Sequence, residues 1–154
     1  MVTARLYTRL LLVAGLVVAL DQVTKTLALE NIEEPIDVIS GVLTFRIVYN
    51  SGGAFGLLQG LPEVFLIATV IAAVLILFWA RKVDQPGWTI PLGMVLGGGL
   101  GNVIDRIFRD TDGRVVDFID FQVWPVFNLA DAAIVTGIAL ILFFGTRAER
   151  GVTD

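Results

Sequence analysis

The sequence predicts an integral membrane protein that is mainly α-helical, with four transmembrane helices and a small extracytoplasmic β-sheet between helices one and two. Apolar residues make up 56% of the 154 residues and charged residues only 17%, whereas soluble domains average about 25% charged residues. The apolar residues gather into four long runs, and a helix needs roughly 20 of them to cross the hydrocarbon core of a bilayer. We expect residues 1–154 to form one domain.

The chain contains no cysteine and no histidine. Disulfides, haem ligation, zinc sites built on those residues and Ser-His-Asp catalysis are therefore excluded. Acid–base chemistry must use Asp, Glu, Lys or Tyr, and we expect neither a metal nor another cofactor. The apolar composition also excludes a nucleic-acid partner, which a basic domain would recognise.

The apolar runs place the four helices at about residues 10–29, 64–80, 88–108 and 127–144. The first run follows Arg5 and Arg9, and a cleavable signal peptide also begins with basic residues. No clear A-x-A cleavage site follows this run, however, and the helical pattern continues through Asp21 and Lys25. We therefore interpret it as a retained membrane span.

Basic residues indicate the orientation, because cytoplasmic flanks are enriched in Lys and Arg. The two termini and the turn at 81–87 contain Arg5, Arg9, Arg81, Lys82, Arg147 and Arg150. The opposite side contains Lys25, Arg46, Arg106, Arg109 and Arg114. The bias is small, but the first helix usually dominates and has both early arginines on its amino side. We expect both termini in the cytoplasm.

The outer segment between helices one and two has the composition of a β-structure. Residues 42–49 are rich in β-branched and aromatic side chains, and Ser40-Gly41 before them is a turn signal. We expect a small sheet at about residues 36–49, on the outer membrane surface.

Polar residues recur at helical spacing near the outer ends of the helices, where ionisable groups are costly and usually functional. Asp21 and Lys25 are four residues apart and can pair. Asn102, Asp105 and Arg106 share one face of helix three. Two structural alternatives stay open: an interfacial ion pair for the first set, and a helix-packing network for the second.

Three further carboxylates lie between helix three and the start of helix four. Asp131 follows Asn128 at i,i+3, where helix N–H groups favour a carboxylate, so it could be only a cap. Asp117 lies in an apolar run with Arg114 as its one basic neighbour, which favours an unpaired role. We interpret Asp120 as a solvated loop acid.

Asp105 competes with Asp117 for a catalytic role. It precedes Arg106 and can reach Arg109 at i,i+4. A carboxylate held by arginine does not readily share a proton. We therefore assign Asp105 a supporting role.

Two glycine-rich stretches add to the pattern. Residues 50–56, with Gly52 among them, can bring backbone close to another chain or adopt positive φ, or can simply form a strand-to-helix turn. Residues 97–101, inside helix three, favour close helix packing.

Five motifs, in order along the chain, resemble those of the bacterial lipoprotein signal peptidases, also called signal peptidase II. They are DQVTK from Asp21, NSGGAFG from Asn50, GGLGNVIDR from Gly98, VVDFI from Val115 and FNLAD from Phe127. A single motif would be weak evidence, but the five together are specific.

The resemblance implies an intramembrane aspartic endopeptidase that cuts prolipoproteins just before a diacylglyceryl-modified cysteine. It implies Asp117 and Asp131 as the catalytic dyad and no metal or other cofactor. Substrate-binding or supporting roles fall to Asp21, Lys25, Asn50, Gly52, Asn102, Asp105, Arg106, Asn128 and Ala130. The expected location is the bacterial inner membrane, with the site near its outer surface. The expected partners are prolipoprotein and membrane lipid, and we expect a monomer.

Two other functions stay open. Intramembrane acids also mark proton-relay transporters, although the second apolar run has no charge inside it. A scaffold that binds lipidated proteins without cutting them would use the same pocket, and only an assay separates it from an enzyme.

Overall fold

The computed structural model describes residues 2–52, 62–81 and 86–150. In chain order they form α1 (Val2–Asn31), β1 (Ile36–Ile39), β2 (Leu43–Asn50), α2 (Pro62–Ala80), a 3₁₀ turn (Pro86–Trp88), α3 (Thr89–Phe108), β3 (Val115–Asp120) and α4 (Leu129–Arg150). Residues 53–56 of the second motif and 82–85 of the predicted turn lie outside the described residues.

Two of the helices are longer than the sequence predicted. α1 begins at Val2 rather than near residue 10, and α4 continues to Arg150 rather than ending near residue 144. Both extensions lie beyond an apolar run and contain arginine and alanine, which are good helix formers. The helical backbone therefore continues past the point where the apolar pattern stops.

Length and composition single out one membrane-crossing helix in the described part of the chain, Ala4–Asn31. The stretches Leu66–Ala80 and Leu129–Gly145 are apolar but shorter. The count of four membrane spans therefore stays a prediction.

Apolar and polar side chains are distributed as in a protein that faces lipid. Leu12 on α1, Ile71 on α2 and Leu142 on α4 are exposed, while Asp21 and Lys25 on α1 are fully buried. Ionisable groups that turn inward while apolar groups face outward are typical of helices in a bilayer.

α3 packs against α1, α2 and α4, and its glycines determine how closely it approaches them. A β-carbon at Gly97 would lie 2.6 Å from the carbonyl oxygen of Ala14 on α1. One at Gly98 would collide with the carbonyl oxygen of Ala130 on α4. The glycine run at 97–101 is therefore a helix-packing surface, as predicted.

The three strands form an antiparallel sheet in the order β1-β2-β3. β1 and β2 confirm the strands expected at 36–49. The prediction that placed the sheet wholly between helices one and two was incomplete, because β3 comes from the connection between α3 and α4. β2 pairs Val48 with Asp117 and Asn50 with Val115. This register brings the second and fourth motifs side by side.

Substituting Gly97 tests the packing of α3. Gly97→Ala should lower the free energy of unfolding by roughly 1–3 kcal/mol, because the added methyl group has no room against Ala14. Gly15→Ala is the matched control, since nothing lies within 4 Å of that β-carbon position. Thermal unfolding in detergent measures both; equal midpoints for the two variants would contradict this account.

Candidate active site

Asp117 and Asp131 line one cleft of about 520 Å³. Asp117 lies on β3 and Asp131 in the first turn of α4, so the two carboxylates come from neighbouring elements on either side of one connection. Four more of the predicted site residues line the same cleft: Asn50, Gly52, Asn102 and Arg106. The fold therefore brings the sequence-predicted pair together.

Asn128 and Asp131 cap the amino end of α4 reciprocally. The Asp131 backbone N–H donates to Asn128 Oδ1 at 2.9 Å, and the Asn128 backbone N–H donates to Asp131 Oδ2 at 3.4 Å. This is the geometry of a capping box, with each side chain accepting from the other residue's backbone. The cap that the sequence suggested for Asp131 exists, and it holds the carboxylate at the cleft.

Asp117 is 1% exposed and is held by two amides. Asn128 Nδ2 donates to its Oδ1 at 2.6 Å, and Asn50 Nδ2 donates to its Oδ2 at 2.8 Å. Asn50 is oriented in turn by the Gly52 N–H, which donates to its Oδ1 at 2.8 Å. Gly52 has φ of +99°, a conformation that a residue with a side chain rarely adopts.

No lysine or arginine nitrogen of the described residues lies within 4 Å of the Asp117 carboxylate. Burial and, to a lesser extent, the nearby charge of Asp131 raise the pKa of Asp117 to about 7, against the opposing hydrogen bonds from Asn50 and Asn128. Asp117 can therefore hold a proton close to neutral pH. The unpaired role that its apolar surroundings predicted agrees with this geometry.

Lys25 lies behind the cleft and joins two helices. Its Nζ is 2.9 Å from Asp21 Oδ2 and 2.9 Å from Asp105 Oδ2, and it donates to Asn102 Oδ1 at 3.0 Å. The side chains of Lys25, Asp21 and Asp105 are all 0% exposed. The predicted pair with Asp21 is therefore present, and it is buried between α1 and α3.

Asp21 and Ala130 join α1 to α4. The backbone N–H of Ala130 donates to Asp21 Oδ1 at 3.0 Å, and Ala130 is fully buried. One carboxylate thus accepts from a lysine on its own helix and satisfies a free N–H in the first turn of another helix. Asp21 and Ala130 support the site from outside the cleft.

Asp105 is a structural carboxylate. Arg109 Nε donates to its Oδ1 at 3.1 Å, as the i,i+4 spacing predicted, and the Val116 N–H donates to its Oδ2 at 3.1 Å. With Lys25 also bound, two cations hold this group, and it does not line the cleft. The supporting role assigned to Asp105 agrees with these contacts.

Arg106 turns from the same helix toward the cleft. Its Nη1 donates to the Asn102 carbonyl oxygen at 3.3 Å. Its Nε is buried and has no hydrogen-bond partner among the described residues. Arg106 thus lines the cleft beside Asp117 and Asp131.

Sequence reasoning missed two sets of contacts. Gln22 donates to Asp105 Oδ1 at 3.0 Å and accepts from Arg109 Nη2 at 2.9 Å. Its only signal was its position beside Asp21 in the first motif, since its partners are on a different helix.

Asp120 is the second case. The prediction of a solvated loop acid is wrong, because Asp120 ends β3 and is 5% exposed. Arg46 Nε on β2 lies 2.6 Å from its Oδ2, and this hydrogen bond lowers the pKa of Asp120. The contact depends on the β2–β3 pairing, which no local spacing reveals.

Comparison with known proteins gives concordant matches. A family model described as "Signal peptidase (SPase) II" matches residues 13–146. The lipoprotein signal peptidase of Halothermothrix orenii is 39% identical over 142 residues, covering 90% of this chain and 96% of that protein. That of Moorella thermoacetica is 44% identical over 135 residues, covering 85% and 88%.

Solved structures match over a similar length. One, described as a bacterial membrane enzyme at 2.3 Å resolution, is 32% identical with a TM-score of 0.79, covering 90% of this chain and 87% of that one. Another, at 1.9 Å resolution, is 32% identical with a TM-score of 0.75, covering 87% and 90%.

The buried cluster should be more sensitive than a surface pair. Asp105→Asn should lower the free energy of unfolding by about 3 kcal/mol or more, because Lys25 loses a buried partner. Asp112→Asn is the matched control, since Asp112 is 88% exposed and pairs with Arg114; such pairs contribute roughly 0–1 kcal/mol. Unfolding midpoints in detergent measure the stability of both variants. A decrease in stability for Asp112→Asn as large as that for Asp105→Asn would contradict the prediction.

The raised pKa of Asp117 also predicts a dependence of stability on pH. Between about pH 4 and pH 7 the folded protein keeps a proton that the unfolded chain has released, so this group makes the free energy of unfolding fall as pH rises. Asp117→Asn should remove roughly 1–4 kcal/mol of that fall. Chemical unfolding of the wild-type protein and the variant at pH 4.5 and pH 8 measures this change in free energy. An equal change in the two proteins would refute the raised pKa of Asp117.

Proposed function

Because the chain belongs to the signal peptidase II family, we propose that Asp117 and Asp131 are the catalytic dyad with which it works. The family match spans residues 13–146, and curated relatives named lipoprotein signal peptidase are about 40% identical. The protein is therefore a membrane-embedded aspartic peptidase that removes signal peptides from prolipoproteins. The roles of individual residues below are our proposal.

The contact of Asn128 with both acids is the observation that supports the dyad most strongly. Its side chain donates to Asp117 at 2.6 Å and accepts from the backbone of Asp131 at 2.9 Å, so one residue holds the two carboxylates at the same cleft. Two neighbouring carboxylates do not both ionise readily, and a proton is shared between them. The pKa of Asp117, about 7, fits such sharing.

The reaction follows from a singly protonated pair. The ionised carboxylate takes a proton from water as the water oxygen attacks the scissile carbonyl carbon, and the protonated one donates to the carbonyl oxygen. The pair titrates as a unit. Collapse of the tetrahedral intermediate, with proton transfer to the amine, breaks the peptide bond and releases the two products.

Other residues of the cleft would hold the peptide. Arg106 lines the cleft, where its guanidinium would donate to a substrate carbonyl oxygen. Asn50 and Gly52 hold Asp117 from the β2 side. The remaining wall is largely apolar, with Trp124, Val126, Phe127 and Ile134, which suits signal-peptide side chains and the acyl chains of a diacylglyceryl-modified cysteine.

The cleft would lie at the outer surface of the bacterial inner membrane. The carboxyl ends of α1 and α3, the amino end of α4 and the sheet all meet beside it. With both termini in the cytoplasm, that end of the molecule faces the outer leaflet, where lipid-modified substrate is anchored. We propose that β1 and β2 cover the bound peptide and that the protein acts as a monomer.

A proton relay is less well supported. Such a pathway needs polar groups through the depth of the membrane. The opposite end of the described helices is instead packed with Leu10, Ala14, Leu92 and Leu96. A scaffold that binds lipidated proteins without cutting them would give no cleavage in an assay of the folded wild-type protein.

Asparagine variants of the two acids test the dyad. Asp117→Asn and Asp131→Asn should each lower kcat by about 10³-fold or more, since an amide cannot exchange the proton. Asp105→Asn should keep partial activity. The measurement is cleavage of a diacylglyceryl-modified prolipoprotein by purified, folded protein, followed by gel mobility.

Asp112→Asn is the control, because that side chain is exposed and pairs with Arg114. If Asp117→Asn kept full activity and Asp105→Asn lost its activity, Asp105 would replace Asp117 in the dyad. Absence of cleavage by folded wild-type protein would favour the scaffold.

A further inference from the structure

The side-chain amide of Asn102 lies between Lys25 and Asp131. Its Oδ1 accepts from Lys25 Nζ at 3.0 Å and from Asn128 Nδ2 at 3.2 Å, and its Nδ2 donates to Asp131 Oδ1 at 2.8 Å. A lysine ammonium has donors only. If the amide were reversed, its Nδ2 would face the ammonium, donor against donor. Lys25 therefore determines which end of Asn102 faces Asp131.

All three N–H donors of the Lys25 ammonium are used in hydrogen bonds or ion pairs. An ammonium has three N–H donors, and Asp21 Oδ2, Asp105 Oδ2 and Asn102 Oδ1 accept all three within 3.0 Å. The side chain is 0% exposed, so water does not substitute for any of them. The position of the ammonium is set by carboxylates on two helices.

Among the residues that the structure describes, those that hydrogen-bond to the Asp131 carboxylate are all donors. Its Oδ1 accepts from Asn102 Nδ2 and its Oδ2 accepts from the Asn128 backbone N–H. A protonated carboxyl would have to direct its own O–H at one of these donors or into the cleft. These donors favour the ionised form of Asp131, as the amides of Asn50 and Asn128 do at Asp117. The difference between the two acids is that a donor of Asp131, Asn102 Nδ2, is oriented by Lys25.

We propose that Lys25 is a positioning residue that acts through Asn102 to keep Asp131 ionised, so that Asp131 takes the proton of the attacking water and Asp117 holds the proton given to the scissile carbonyl oxygen. This inference rests on the proposed dyad. It assigns the two halves of the pair, which the chemistry of an aspartic dyad alone leaves open.

Several charged groups act on Asp131 from the elements around it. α1 contributes Asp21 and Lys25, α3 contributes Arg106, and β3 contributes Asp117. The positive charge of Lys25 is opposed by its two carboxylate partners. The charge of Lys25 acts on both Asp117 and Asp131, whereas the hydrogen bonds through Asn102 connect it to Asp131.

The test is the pH dependence of kcat for cleavage of a diacylglyceryl-modified prolipopeptide. Lys25→Met should move the acid limb of the profile upward by roughly 1 pH unit and lower kcat at pH 6 by about 10- to 100-fold. KM should change by less than about threefold, because Lys25 does not line the cleft. A purely structural role would lower the amount of active enzyme and leave the profile in place.

Arg109→Gln is the matched control. Arg109 is the other cation bound to Asp105, but it has no contact with Asn102, so the acid limb should stay where it is. Lys25→Met/Asp105→Asn removes one cation and one anion together, which keeps the cluster balanced if the single variant does not fold. The double variant should show the same upward shift.

A wild-type pH profile in either folded Lys25 variant would overturn the proposal, and so would an equal shift in Arg109→Gln. Asp131→Asn is measured alongside. If that variant cleaves normally, the proposed dyad fails, whatever the Lys25 variants do.

Discussion

An ammonium group cannot leave water without partners for all of its protons, because an unpaired buried charge is strongly destabilising. At Lys25 those partners come from α1 and α3, and Asp21 also accepts a backbone N–H from α4. Lys25 and Asp21 together therefore join three helices at one point. Asn102, whose amide contacts Asp131, is bonded to Lys25, so the burial of this one charge helps to determine the geometry of the cleft.

That charge can be buried only because the helices approach closely. At Gly101 a β-carbon would stand 2.5 Å from Asp21 Oδ2, and the glycines at 93 and 97 admit the backbone of α1 in the same way. Small residues allow such approaches between helices in lipid, where no hydrophobic force drives them together. Packing and electrostatics thus act at one interface. The glycines at 93, 97 and 101 allow α1 and α3 to approach closely, and the ion cluster lies between the same two helices.

The sequence revealed the contacts that depend on local spacing. Asp21 with Lys25, Asp105 with Arg109, and Asn128 with Asp131 are all three or four residues apart on helices, and each contact is present. Other contacts depend on which distant segments meet. Nothing local shows that β3 pairs with β2, so Asp120 was misread and its contact with Arg46 was missed. The length of α1 was underestimated for a related reason, since an apolar run marks lipid contact and not the end of a helix.

Asn128 occupies two structural roles with one side chain. Its oxygen caps α4, while its amide nitrogen donates to Asp117. In many enzymes a substitution in the active site sacrifices activity and gains stability, because the site is strained. At this position an apolar replacement gives up the helix cap and the hydrogen bond to Asp117 together. Selection for higher stability and selection for higher activity would therefore both favour retaining Asn128.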